Sequence, residues 1–218
     1  MLKAIIFDMD GVMLDSFKYN AISFEQVSGV KLSEQERKMF QYCALKDTVD
    51  YLNENYECNL IVETFSKDCF AIQMELMKDD LKPNKQFTKF LQDCKTKGIQ
   101  LAIGTSSFKY RAEIITSLLG VRDYFTELVA ADDVDRHKPD PAVYIKAAKR
   151  LNIDPGYCIV VEDAKDGIEA AINGGMKAVA IKTEQQDYED LKEADLIFEK
   201  LEDLDLEKIK KLLEKIKD

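Results

Sequence analysis

The sequence predicts an α/β protein: a doubly wound parallel sheet with a small helical domain inserted after the first strand. Three observations carry that reading. Short apolar runs ending in acids, glycine or hydroxyls recur along the chain, as expected of buried strands that lead into functional loops. From about residue 84 onward a helical pattern separates each run from the next. Strands joined by single helices run parallel, because each crossover returns the chain to the same edge. The stretch from about 16 to 80 breaks this alternation and reads as successive amphipathic helices.

The first strand is Lys3-Ala-Ile-Ile-Phe-Asp8, which stops at acids and Gly11. Within the insertion, Ser33-Glu-Gln-Glu36 predicts a capping box. Val62, Phe65, Cys69, Ile72 and Leu76 give a later helix a buried stripe. The chain returns to the sheet near Lys82-Pro83, which assigns 16–80 to the inserted domain and 1–15 with 81–218 to the sheet domain. Both connections of the insertion leave from the site end of the sheet, so it is placed to act as a lid. Further strands are predicted at Ile99–Gly104, Glu127–Ala131, Cys158–Glu162 and Lys177–Lys182. Between them lie helices over 84–97, 108–119 closed by Gly120, 140–151 with Pro141 in its first turn, and 165–173 ending at Gly174-Gly175. The tail, with Leu201, Leu204, Leu206, Ile209, Leu212, Leu213 and Ile216 among Lys and Glu, reads as a surface helix covering the sheet.

Composition agrees and narrows the function classes. With 46% hydrophobic and 33% charged residues, and only 9 Gly and 4 Pro in 218, the chain is globular rather than low-complexity or disordered. Its net charge of −10 repels a phosphate backbone, which sets nucleic acid aside as a partner. The same field means that a phosphorylated ligand has to be held by local donors or by a metal. Five cysteines at irregular spacing, with no C-x-x-C pair, argue against a disulfide framework or a zinc site and fit a reducing compartment. No run approaches the roughly 18 apolar residues of a membrane span. The expectation is a soluble, cytoplasmic monomer with no membrane partner.

In a doubly wound sheet the ligand site lies beyond the carboxyl ends of the strands, and four of those ends carry chemistry. Asp8 and Asp10 leave the first strand two residues apart, so both can face one side. Close carboxylates repel unless a cation or a shared proton relieves them, which suits a metal site with one acid as nucleophile and the other as proton donor. Thr105, Ser106 and Ser107 follow Gly104 at a helix start, where hydroxyls and N–H groups can hold a phosphate; read alone, Ser106 or Ser107 as an ordinary N-cap explains most of this segment. Lys138 precedes a helix and can neutralise a phosphoryl oxygen or the acid that attacks it, although most lysines are solvated. Glu162 and Asp163 end the most apolar strand with hard oxygen ligands that suit Mg²⁺, and either alone could cap a helix. Acids, hydroxyls, a lysine and acids again, each ending a different strand, together form the inventory of phosphoryl transfer.

In these motifs the chain resembles the haloacid dehalogenase superfamily of aspartate-nucleophile phosphotransferases, within it the group of beta-phosphoglucomutases and small sugar-phosphate phosphatases. Three segments carry the resemblance: Phe7-Asp-Met-Asp-Gly-Val-Met-Leu-Asp-Ser16, His137-Lys-Pro-Asp-Pro-Ala-Val-Tyr144 and Val161-Glu-Asp-Ala-Lys-Asp-Gly-Ile-Glu-Ala-Ala171. The resemblance implies a Rossmann-like core with a helical cap, and a Mg²⁺-dependent phosphatase acting on a small phosphorylated metabolite through an aspartyl-phosphate. It implies Asp8 as nucleophile, Asp10 as general acid and then base, Thr105 and the Ser106 N–H as phosphoryl holders, and Lys138 as the balancing cation. Mg²⁺ would rest on Asp8, the Asp10 carbonyl and Asp163, with Glu162 adjacent.

Asp10 disfavours dehalogenation, because a halide leaving group needs no acid. The chain departs from the mutases at three places. Asn20 stands where they carry a cap histidine; around Ala44-Leu45-Lys46-Asp47 their Gly and Arg are missing, with Lys46 in the Arg's stead; and Phe108 replaces a substrate lysine, with Lys109 next to it. These changes favour a phosphatase over the alternative, a beta-phosphoglucomutase-type mutase. Asn20, Lys46, Ser106, Ser107 and Lys109 are the candidate substrate contacts. A non-enzymatic phosphoacceptor or binding protein is the more remote alternative, and the helical insertion counts against it. His137 reads as a loop residue without a catalytic role.

Overall fold

The computed structural model describes residues 1–43, 45–183 and 188–214, apart from the side chains of Gln41 and Tyr42. Ala44 and Ile216, named above, lie outside the described residues. The chain divides into two compact units, Met1–Leu14 with Lys82–Asp218, and Asp15–Leu81.

The smaller unit is helical: α1 (Phe17–Ser28), α2 (Glu34–Tyr42), α3 (Leu45–Tyr56) and α4 (Val62–Met77). Its core gathers Phe24, Leu32, Phe40, Val49, Leu52, Phe65 and Cys69. The capping box forms as the sequence predicts: Ser33 Oγ accepts from the Glu36 N–H while the Glu36 carboxylate accepts from the Ser33 N–H. The stripe on α4 needs correcting. Phe65 and Cys69 are buried, but Leu76 is 38% exposed, and the buried line runs through Phe65, Ser66, Cys69, Phe70, Gln73 and Met77. Gln73 turns inward because its Nε2 donates to Ser23 Oγ (3.0 Å) and Asn20 Oδ1 (3.1 Å), and a hydrophobic periodicity cannot register a buried amide.

The larger unit is built on a six-stranded sheet of β1 (Ala4–Phe7), β2 (Gln100–Gly104), β3 (Glu127–Val129), β4 (Cys158–Glu162), β5 (Lys177–Ile181) and β6 (Leu196–Phe198). Every pairing is parallel, and the order is β3-β2-β1-β4-β5-β6, the doubly wound arrangement predicted. All residues of β1 and β4 are buried, which is why both read as continuous apolar runs. Strand alternation sorts the two faces. Ala4, Ile6, Ala102, Val160, Ala178 and Ala180 pack with Val143, Tyr144 and Ala147 of α7 (Ala142–Arg150) and Ile168 and Ala171 of α8 (Lys165–Asn173). On the opposite face the Phe7 ring meets Phe87 and Phe90 of α5 (Lys85–Thr96), and Phe125, edge-on at 5.4, 6.3 and 5.9 Å. The remaining helices are α6 (Lys109–Leu118), α9 (Tyr188–Leu191) and α10 (Leu206–Lys211).

Two features differ from expectation. The edge strand β6 is absent from the sequence reading: Leu196-Ile-Phe198 is a short apolar run set among the charged residues that lead into the tail. The tail is not one helix. A 3₁₀ turn at Leu201–Asp203 precedes α10, and Asp205 restarts the helix by accepting from the Glu207 and Lys208 N–H groups. Leu201, Leu206, Ile209 and Leu213 are nevertheless buried and Leu204 and Leu212 half-buried, so these leucines and the isoleucine face inward although the helix is interrupted. The five cysteines are unpaired. Among the described residues no helix is long and apolar enough to cross a membrane.

Candidate active site

The strand order reverses between β1 and β4, so the first residues beyond these two strands open the crevice where doubly wound sheets bind ligands. The register pairs Phe7 with Ile103 on one side and with Val161 on the other. Asp8 therefore emerges next to Gly104 and Glu162, and its N–H still bonds the Val161 carbonyl at 2.9 Å. Beyond it the chain turns sharply, with the Gly11 N–H on the Leu14 carbonyl and the Met13 N–H on the Met9 carbonyl, both at 2.8 Å.

Lys138 joins the two strand ends. Its Nζ lies 2.6 Å from Asp8 Oδ1 and 2.6 Å from Glu162 Oε1, and its side chain is only 9% exposed. The ammonium also sits 4.8 Å from the ring centre of Tyr144. Tyr144 donates its hydroxyl to Glu162 Oε1 at 2.6 Å, while Glu162 Oε2 accepts from the N–H groups of Asp163 (2.7 Å) and Ala164 (3.0 Å). Both oxygens of Glu162 are thus engaged by protein donors. Glu162 contacts Lys138 and accepts from the two N–H groups that follow it, the backbone capping that the sequence left open for it.

Asp163 is different. It is 1% exposed, and its Oδ2 has no hydrogen-bond partner. One oxygen from each of Asp8, Glu162 and Asp163 falls within a 4.8 Å cluster. Two glycines make the approach possible. A Cβ on Gly11, at φ +82°, would stand 1.9 Å from Asp163 Oδ2, and one on Gly167 would stand 1.7 Å from Glu162 Oε1.

The electrostatics follow from burial. Desolvation pushes the Asp8 carboxyl up to about 7 against the opposing pull of Lys138. Burial, then the charges of Glu162 and Asp8, raise Asp163 well above the usual carboxylate range. Burial also acts on Glu162, but Lys138, Tyr144 and the backbone donors bring it below its ordinary value. Lys138 stays charged because Asp8 and Glu162 outweigh its own desolvation. Three clustered buried carboxylates with one ammonium among them leave two negative charges uncompensated when all are ionised, a deficit that a divalent cation would fill. An orphaned carboxylate oxygen within an all-oxygen donor set fits a hard cation such as Mg²⁺.

Thr105 is buried, with its N–H on the Val129 carbonyl (3.0 Å) and its Oγ1 accepting from the Ser107 N–H (3.1 Å). Neither serine caps α6: its N-cap is Phe108 without a side-chain bond, and Asp132 Oδ1 accepts from the Lys109 N–H instead. Ser107 Oγ donates to Asp10 Oδ2 at 2.6 Å, and Ser106 and the Lys109 side chain are exposed. Asp10 also receives Arg111 Nη1 at 2.6 Å. Arg111 and the role of Tyr144 were missed from sequence. Arg111 stands one helical turn after Ser107, and that spacing was the available signal.

The larger unit therefore brings Asp8, Asp10, Thr105, Ser107, Lys138, Glu162 and Asp163 to one end of its sheet. Asn20 and Lys46 belong to the helical unit, where Asn20 accepts from Gln73 and Lys46 pairs with Asp50 on the next turn of α3. His137 is exposed.

Known proteins share the sequence pattern and the fold of this chain. The sequence signature of the haloacid dehalogenase-like hydrolases matches residues 5–181. A phosphorylated carbohydrates phosphatase of Thermotoga maritima is 30% identical over 181 residues, spanning 82% of this chain and 84% of that protein. The beta-phosphoglucomutase of Bacillus subtilis is 26% identical over 218 residues, spanning 94% of this chain and 93% of that protein. Among solved structures, a beta-phosphoglucomutase from Clostridium difficile superposes with a TM-score of 0.83 at 24% identity, covering 99% of this chain and 98% of that one, which shows a shared fold.

Proposed function

Because this chain belongs to the haloacid dehalogenase-like hydrolases, and is by its relatives an enzyme, a phosphoric monoester hydrolase or mutase, we propose that it hydrolyses a small sugar phosphate through an aspartyl-phosphate on Asp8. The observation that carries this reading is the buried Asp8–Lys138–Glu162 group beside the orphaned oxygen of Asp163, at the point where the strand order reverses.

In this mechanism Lys138 favours the ionised form of Asp8 against its burial and orients it through Oδ1. A carboxylate oxygen of Asp8 bonds to phosphorus as the ester oxygen leaves, and Asp10 gives that oxygen its proton. Water then attacks the aspartyl-phosphate, Asp10 takes the proton from the water, and inorganic phosphate departs with Asp8 restored. Thr105 and the Ser106 N–H hold the phosphoryl oxygens. Asp8, Asp163 and the Asp10 carbonyl would hold Mg²⁺, which when bound neutralises phosphoryl charge. Glu162 serves indirectly, by fixing Lys138.

The relatives that carry phosphorylated carbohydrates and phosphoglucomutase in their names support a sugar phosphate as substrate. The asparagine at position 20, Lys46 in place of an arginine and Phe108 in place of a lysine favour water as the final acceptor. The test is phosphate release with Mg²⁺ from a panel of small esters that includes beta-glucose 1-phosphate, with Asp8→Asn as control. We expect turnover by the parent and a loss of at least ~10⁴-fold in the variant. Conversion of beta-glucose 1-phosphate to the 6-phosphate without phosphate release would establish the mutase instead. Full activity in Asp8→Asn would overturn the mechanism.

A further inference from the structure

The Asp10 carboxyl is held by a residue that the mechanism above does not use. Arg111, on α6, has a side chain only 9% exposed, and that of Asp10 is 17% exposed. Arg111 Nη1, Ser107 Oγ and Asp10 Oδ2 form a triangle with all three separations 2.6 Å. The directions of these bonds are fixed by chemistry. A guanidinium only donates, so Ser107 accepts from Arg111 and its single hydroxyl proton points to Asp10. Asp10 Oδ2 therefore receives two donors, which sets the plane of the carboxyl and commits that oxygen.

The triangle is anchored from below. The Ser107 N–H bonds Thr105 Oγ1 at 3.1 Å, the Thr105 N–H bonds β3 at Val129, and Asp132 fixes the opening of α6 through the Lys109 N–H at 2.9 Å. Positions 105, 107 and 111 thus form one rigid block at the end of β2, with Asp10 attached to it.

We infer that Arg111 is a positioning residue: with Ser107 it holds the Asp10 carboxyl in the orientation that delivers a proton to the leaving oxygen. This inference rests on the reading of Asp10 as the acid. A misplacement of about 1 Å in a reacting group can cost ~10²-fold in rate, and the loss should appear only where the leaving group needs a proton. A sugar alkoxide needs one. A p-nitrophenolate leaves without it.

The experiment compares single-turnover transfer from two esters, the sugar phosphate that the parent turns over fastest and p-nitrophenyl phosphate, in Arg111→Gln and Arg111→Lys. We expect Arg111→Gln to lower the sugar phosphate rate about 10- to 100-fold more than the p-nitrophenyl phosphate rate, and Arg111→Lys to recover part of that selective loss. In an Asp10→Asn background, Arg111→Gln should add no further selective loss. Should Arg111→Gln fail to fold, the same ratio read on Arg111→Lys decides, with a selective loss of a few-fold expected. Equal losses on both esters would mark Arg111 as merely structural and overturn the inference, as would a selective loss that persists without Asp10. Those outcomes leave the phosphatase reading intact. Turnover of neither ester by the parent would overturn that reading and this inference with it.

Discussion

Glu36 and Asp163 are both buried acids, 8% and 1% exposed, one in the helical unit and one at the end of the sheet. Glu36 has every oxygen answered. Its Oε2 accepts from the Ser33 N–H (2.7 Å) and hydroxyl (2.5 Å), and its Oε1 from the hydroxyls of Tyr51 (3.2 Å) and Tyr56 (2.5 Å). The Ser33 and Tyr56 side chains lead in holding its carboxyl down to about 2. Asp163 has one oxygen without a donor and is pushed the other way by burial and by the charges of Glu162 and Asp8. An acid whose hydrogen bonds are complete stabilises the fold around it. One left buried and incomplete costs stability in the protein alone, a cost that a bound cation would offset.

The sharpest test of this contrast is Asp163→Asn. It removes one of three clustered buried carboxylates, so we expect the metal-free protein to gain about 1–2 kcal/mol by thermal or urea unfolding. Phosphate release should fall by ~10³-fold or more, because the cation site is lost. A variant that is less stable than the parent, yet still active, would mean that Asp163 is structural and that the comparison fails.

Metal removal gives the next largest effect. At about 100 times its dissociation constant, Mg²⁺ should add ~2.7 kcal/mol to stability, seen as a higher melting temperature than in chelator. The pH dependence has a definite sign. The folded-state carboxyl of Asp8 titrates near 7, above its ordinary value of 3.8, so between those values the folded state binds more protons than the unfolded chain. Without metal, this group's contribution to stability therefore falls as pH rises through that window, and Asp163 acts in the same direction. Mg²⁺ should raise the melting temperature more at pH 7.5 than at pH 5 and do little in Asp163→Asn. An equal rise at both values, or in the variant, would place the ion elsewhere.

The two units also differ in how much of them was legible in the sequence. Strands β1 and β4 were legible because both their faces are covered, so each is an apolar run that stops abruptly at an acid, Asp8 after β1 and Glu162 at the end of β4. Asp8 and Asp163 were legible because charge at the end of a buried strand is costly and needs a reason, and Lys138 because a lysine just before a helix joins them in the same inventory. What stayed hidden were partners chosen by three-dimensional packing. Tyr144 lies on the apolar face of α7 and only the fold brings its hydroxyl to Glu162. Gln73 lies outside the apolar stripe read on α4, and only the fold brings its amide to Ser23 and Asn20. The serines after Thr105 looked like caps, and only the structure shows that Ser107 faces Asp10.

The smallest effect comes from the satisfied acid. Glu36→Gln keeps the size of the side chain but loses the charge that two tyrosines and the Ser33 N–H and hydroxyl stabilise, so unfolding should become easier by about 1–2 kcal/mol at pH 7. Here the sign opposes that of Asp8. A carboxyl lowered from 4.5 to about 2 contributes stability that is full above the ordinary carboxylate range and is lost as pH falls toward 2. The gap in melting temperature between parent and Glu36→Gln should therefore close between pH 4.5 and 2, while phosphate release at pH 7 stays at the parent rate in the folded variant. A gap that persists at pH 2 would show that Glu36 acts through packing rather than charge. A fall in turnover would bring the helical unit's acid into the chemistry and erase the distinction between the two.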